Sequence, residues 1–283
     1  MRYGLILTAL LGASVATPVA QIPRNPDATT VLPKATAWVQ ALEKQFAAVI
    51  ADEAYHQQIG DAPSPADPGK SVRDLQSEIA FLWVPEDGMW LTARNVRMVD
   101  KVPVSGSSPR LPRIMADPNR VRLLRGLRGE SSKFNLGTVN RGFSDPTYAL
   151  QYLDPRWQGR FIWAQNGRER LNNVETWRFD FTELNQPYVI QAAGYTLQST
   201  GNLWIDPATG VVHRTHLEVW DSVARVRTRI DVELTRDAKL GMVVPAQTKE
   251  EYIAYAPTGL EVSSTIHGAA EYRNFRRLAS PGR

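Results

Sequence analysis

Hydrophobic and polar positions alternate with a period of two through most of the chain beyond residue 160. In one run Val226, Thr228, Ile230, Val232 and Leu234 oppose Arg227, Arg229, Asp231 and Glu233. In a second, Trp177, Phe179 and Phe181 share a side; in a third, Val262, Ser264, Ile266, Gly268, Ala270 and Tyr272 do. A two-residue period marks strands with one covered face. Strands are predicted at 161–165, 171–182, 188–192, 201–205, 211–220, 223–234, 243–256 and 261–275. No helical pattern lies between them, which argues for antiparallel pairing over an alternating α/β fold.

The N-terminal third reads differently. Trp38, Leu42, Phe46, Val49 and Ile50 recur at spacings of three and four, predicting a helix that Pro33 opens and that runs to about Gln57. The proline-rich stretch 59–69 reads as an exposed loop. Leu75, Ser77, Ile79, Phe81 and Trp83 then alternate with Asp74, Gln76 and Glu78, and Pro85–Gly88 turns the chain into a second strand at 89–99, a hairpin with one wet face. An irregular region at 102–117 precedes helices at 118–134 and 146–153. The fold class is therefore α+β, mainly β: a large curved antiparallel sheet, an unclosed barrel, whose inner face the long N-terminal helix and the shorter middle helices cover.

The first twenty residues, MRYGLILTALLGASVATPVA, place Arg2 before an apolar run that ends among small residues. This is the pattern of a secretory signal and is too short to span a bilayer. Ser14-Val15-Ala16 is the cleanest cleavage match. A single domain over 21–283 is expected to follow, located in the periplasm or outside the cell, with no stable transmembrane segment in the mature chain. The net charge of +4 falls by one when Arg2 is lost, a weak balance that with export argues against nucleic acid. Cysteine is absent, which excludes disulfides, thiolate metal sites and thiol catalysis.

The segment Gly201-Asn202-Leu203-Trp204-Ile205-Asp206-Pro207-Ala208-Thr209-Gly210, followed by Val211-Val212-His213-Arg214-Thr215, combines an Asp-capped turn, a torsion-fixing proline and a permissive glycine between two strands. It resembles the periplasmic lipoprotein-carrier superfamily of LolA-like and LolB-like proteins, a resemblance that extends from about residue 160 to 276. The arrangement as a whole is similar to uncharacterised secreted bacterial proteins in which an early helix ending like Ala51–Tyr55 precedes such a sheet. The carrier resemblance implies an open barrel whose concave apolar face receives acyl chains; it assigns no ligand-contacting residue. The chain departs from the small carriers in its length and in the 102–160 insertion.

Candidate chemistry is sparse. Zinc needs three or four converging ligands; of His56, His213, His216 and His267, the middle pair lie three apart on one strand and face opposite sides unless a bulge intervenes. Asp52 and Glu53 are adjacent and form no pair on one helix face, although Glu53 could reach a neighbouring arginine. No nucleophile elbow, phosphate loop or dinucleotide fingerprint is found. No cofactor is expected. The reading is a non-enzymatic envelope protein holding a lipid or acyl chain against Phe46, Phe81, Trp83, Trp177, Phe179 and Trp204, with Arg122 and Arg125 at the headgroup. The alternatives are a structural or protein-interaction module of the envelope, which calls for an exposed patch or free strand edge, and a hydrolase, which calls for converging polar groups in a cleft. Expected partners are a lipid, a lipoprotein or another envelope protein.

Overall fold

A computed structural model describes residues 28–46, 48–60, 71–139, 141–192 and 194–278. The signal-like leader and the loop at 61–69 lie outside the described residues. Helix α1 (Ala28–Gln45) is followed by strands β1 (Val49–Ile59), β2 (Val72–Val84), β3 (Met89–Val99) and β4 (Val102–Pro103). Helices α2 (Leu111–Ala116) and α3 (Arg120–Ser132), a 3-10 helix (Tyr148–Leu153) and α4 (Pro155–Gln158) form the middle segment. Strands β5 (Phe161–Leu171), β6 (Val174–Glu183), β7 (Ile190–Gln191), β8 (Thr196–Leu197), β9 (Ser199–Ile205), β10 (Val212–Asp221), β11 (Val226–Asp237), β12 (Met242–Tyr255) and β13 (Val262–Arg277) complete the chain.

Eleven strands form one antiparallel sheet in the order β4-β3-β2-β1-β13-β12-β11-β10-β9-β6-β5, while β7 and β8 pair separately. The sheet is not closed, because its ends are β4 and β5. It curls enough that β3 and β10 both contact the 3-10 helix, and Tyr152 of that helix stacks on Phe161 of β5 at 4.4 Å. Helix α4 links the ends further: Trp157 donates its indole N–H to Gly88 O in the β2–β3 turn at 2.7 Å.

The helix expected to reach Gln57 stops at Gln45, and residues 49–59 are β1. The physical reason is pairing on both sides: β1 lies between β2 and β13, joining the N-terminal strands to the last strand of the chain. Glu53, Tyr55 and Gln57 alternate inward with Asp52, Ala54 and His56 outward, a period of two that Val49 and Ile50 disguise by continuing the helical spacing. Pro33 lies inside α1 as its sixth residue. The strands expected at 161–165 and 171–182 are one hairpin, β5–β6, turning at Asn172 and Asn173, whose φ values of 49° and 65° suit a tight two-residue loop. Part of the irregular region at 102–117 is helical, as α2.

Buried residues Val31, Ala35, Val39, Leu42 and Phe46 form the stripe of α1 that meets the inner face. Opposite them lie Phe81, Trp177, Phe179, Phe181, Leu203, Leu217, Ile230 and Val232 in one continuous core. The middle helices, all expected from the sequence to cover that face, do so only in part. Helices α2 and α3 bury Leu111, Ile114, Met115, Leu124 and Leu127 against Ile50, Ala80, Leu82, Val84, Leu91 and Ala93, which point to the opposite side. The β2–β3 hairpin is thus covered on both faces over most of its length, and its wet face is confined to the start of β2.

Candidate functional site

Residues 133–139 and 141–147 connect α3 to the 3-10 helix on either side of residue 140, and Leu136 is buried against Ile59, Val226, Tyr252 and Ile266. Beneath it the face changes from apolar to polar. Glu53, Gln57 and Glu250 are nearly inaccessible to solvent. Arg94 on β3 reaches across the sheet to Glu53 with a two-pronged contact, Nε to Oε2 and Nη2 to Oε1 at 2.7 Å. Burial alone lowers the Arg94 pKa, but the charge and hydrogen bonds of Glu53 outweigh it and hold the guanidinium above its ordinary value.

A second buried set runs alongside. Tyr55 and Tyr252 both donate to Glu250 Oε2, each at 2.9 Å. Arg141 donates Nη1–H to Tyr55 Oη and to Gln57 Oε1 at 2.7 Å, and Nη2–H to Leu136 O at 2.6 Å. Burial raises the Tyr55 and Tyr252 pKa values, and Glu250 adds to the effect, so both phenols remain protonated donors. Gly268 on β13 makes room for this set, since a Cβ there would lie 2.8 Å from Tyr55 Oη.

These arginines border a cavity of about 440 Å³ between β3, α3 and residues Asn135, Arg141, Gly142 and Ser144. Its walls carry Arg94, Arg125, Arg128 and Arg141, and among the described residues Asp87 is the sole lining carboxylate. Ile79, Val84, Met89, Trp90 and Leu91 supply the apolar part. Arg125 contacts Asp87, and Arg128 donates to the carbonyl of Gly142. A wider groove of about 1080 Å³ lies on the outer face of β13, β1 and β2. Its charges are mutually paired, with Arg276 bridging Asp52 and Glu78 at 2.9 and 2.7 Å and Arg97 lying 3.6 Å from Glu78.

The candidate residues named from sequence line no common cavity. Phe46, Phe81 and Phe179 have no exposed surface and Trp177 is 3% exposed; all four are packed in the main core. Phe46 meets Phe81 edge-on at 5.5 Å. Trp83 is half-buried against that core. Trp204 points to the other face, under Arg214 at 4.7 Å, with its indole N–H on Glu169 at 2.8 Å. None of the six lines either cavity. Of the two headgroup candidates, Arg125 borders the smaller cavity and Arg122 is exposed away from it.

The strand expected from residue 223 starts at Val226. Arg225 turns out of the strand at φ 55° and ties the β10–β11 turn to the carbonyls of Ala256 and Gly259. Arg229 pairs with Glu251 at 2.9 Å, while Glu250 faces inward. His213 lies at a bulge in β10, and His216 contacts Asp231 at 3.1 Å. Among the described residues no group of three His, Asp or Glu is arranged to hold a metal ion, and no helix is long and apolar enough to cross a membrane.

The last feature is the sheet edge. Strand β5 has β6 on one side and no strand on the other among the described residues. Its first half, Phe161-Ile162-Trp163-Ala164-Gln165, carries no charge, and Ile162 is 56% exposed. The charged residues begin at Arg168, after a bulge at Asn166–Gly167.

No protein-family model matches the chain, and no curated protein matches it. Solved structures align over most of its length at low identity. A DUF1329 family protein from Desulfovibrio piger is 11% identical with a TM-score of 0.40, covering 88% of this chain and 92% of that one. A putative outer membrane lipoprotein-sorting protein domain from Vibrio parahaemolyticus is 10% identical with a TM-score of 0.39, covering 87% and 93%. A LolA superfamily protein from Nitrosomonas europaea is 12% identical with a TM-score of 0.35, covering 89% and 94%. The open antiparallel sheet with an N-terminal helix against its inner face is the architecture implied by the resemblance at Gly201–Thr215.

Proposed function

We propose that this is an exported envelope protein, a single domain over residues 21–283 following a leader at 1–20, that acts by binding a protein partner. The partner would add an extended segment to the free edge of β5. The observation that carries the reading is the uncharged half of that edge, Phe161–Gln165, with Ile162 exposed. Unpaired edge strands offer a row of backbone donors and acceptors, and natural proteins usually blunt them with charge, proline or a covering element. Here those devices start only at Arg168, so pairing with an extended segment is open over five residues.

The closed interior also favours this reading over acyl-chain carriage between α1 and the sheet. Phe46, Phe81 and Phe179 fill that space without exposed surface. Envelope placement rests on the leader's Arg2, apolar run and small-residue end.

The test is a photo-crosslinking amino acid placed at Ile162, at Ala164 and, as a control on a distant surface, at Arg122, in cells exporting the full chain. One discrete protein adduct from both β5 positions and none from Arg122 supports the reading. Adducts of equal pattern from all three positions, or none from β5, overturn it.

A further inference from the structure

The cavity beside β3 has an electrostatic arrangement that β5 pairing does not use. Four guanidinium groups border it, and the carboxylates that accompany them, apart from Asp87, are set behind the wall. Glu53 holds Arg94 from the sheet side, and Glu250 reaches Arg141 only through the Tyr55 hydroxyl. Arg128 and Arg141 each hydrogen-bond to neutral oxygens and lie within ion-pair distance of no carboxylate among the described residues. Arg141 is only 7% exposed. A buried cation without an adjacent counter-charge is costly, and an anion entering from the cavity side relieves that cost.

Part of the remaining wall is apolar, beside the polar Thr92, Ser131, Ser132, Asn135 and Ser144. Met89, Trp90 and Leu91 line the same cavity as Arg128 and Arg141, and the volume of about 440 Å³ is that of a small-molecule site. We propose that the cavity binds a small amphiphilic anion, with a phosphate or carboxylate headgroup on Arg128 and Arg141 and its apolar body along Met89 and Trp90. Arg141 is already fixed by three neutral acceptors, so little side-chain freedom is lost when the headgroup arrives. Guanidinium forks match both headgroup types through paired hydrogen bonds.

The experiment titrates the purified full chain with octyl phosphate, octanol and inorganic phosphate, below micelle formation, by calorimetry and tryptophan fluorescence. Saturable one-to-one binding of octyl phosphate, at least about tenfold tighter than either other probe, is expected, because both a charge-assisted contact and apolar burial are lost in one or the other. Arg128→Gln, on the half-exposed face of α3, leaves the fold intact and weakens octyl phosphate by about tenfold or more. Equal affinity for octyl phosphate and octanol overturns the anion site. Equal affinity for octyl phosphate and inorganic phosphate overturns the amphiphilic one. Absence of saturable binding, or an unchanged affinity in Arg128→Gln, overturns the assignment altogether.

Discussion

Gly210 lies against the backbone of Lys34: a Cβ added to it would stand 2.3 Å from the Lys34 carbonyl carbon. The β9–β10 turn is thereby docked on α1, and Lys34 Nζ completes the contact by donating to Pro207 O at 2.9 Å. Asp206 shapes the turn, accepting from Ala208 N at 2.8 Å and from Thr209 Oγ1 at 2.6 Å. Gly210 also has φ +78°, a conformation that side chains disfavour. Gly210→Ala is therefore expected to lose about 1–3 kcal/mol through backbone strain and a further amount of about 1–3 kcal/mol through overpacking. Gly241→Ala, at φ +66° with open space around it, should show the strain alone. Urea unfolding of the two variants separates the contributions, and equal losses would mean that the α1 contact is unimportant.

Phe179 tests whether the inner face is closed. It has no exposed surface and belongs to the core that α1 caps. Truncating a fully packed phenylalanine to alanine costs about 3–5 kcal/mol, whereas an aromatic lining an open cavity loses far less. Phe179→Ala should lower the urea midpoint accordingly with little change in slope.

The buried Glu53–Arg94 pair should behave as a unit. Glu53 has no exposed side-chain surface, Arg94 is 15% exposed, and each is the other's charge partner. Glu53→Ala leaves the guanidinium uncompensated and is expected to cost about 3–5 kcal/mol. Glu53→Met combined with Arg94→Met removes both charges and should recover much of that loss. A double-mutant cycle by equilibrium unfolding measures the coupling, and additive effects would show that the two groups do not depend on each other.

Most of the sheet was legible because several of its strands have one apolar and one polar side, as in Val226–Leu234. The turn at Asp206–Gly210 was legible because its residues are chosen for torsion and capping, which are local. Strand β1 was not, since Val49 and Ile50 extend the spacing of α1 while its strand character comes from partners in β2 and β13. The buried polar set was hidden for the same reason. Tyr55 meets Glu250 across a separation of 195 residues, and Arg141 comes from a segment with no periodicity. The available signal was the polar series Glu53, Tyr55 and Gln57 at every second position, which marks a strand whose covered face is not apolar. Four of the aromatics singled out, Phe46, Phe81, Trp177 and Phe179, instead fill the core because large apolar groups are what a closed interior consumes.

Glu43 introduces a pH dependence whose direction follows from its surroundings. Its carboxyl is pushed up to about 8, first by burial and then by the nearby charge and hydrogen bond of Asp154, with Arg156 and Lys44 opposing. Asp154 caps α4 by accepting from Arg156 N at 2.7 Å, so the two carboxyls meet where α1 joins the middle helices. Because the folded-state pKa lies above the ordinary value of 4.5, the folded chain holds a proton that the unfolded chain has released between about pH 4.5 and 8. Stability contributed by this group therefore declines as pH rises through that window, and the loss is complete above it. Glu43→Gln keeps the neutral shape and removes the titration. Its melting temperature should exceed that of the parent at pH 8.5, and the difference should shrink towards zero or reverse at pH 5. A constant difference at both pH values would assign the effect to packing instead of to the proton shared at the Glu43–Asp154 contact.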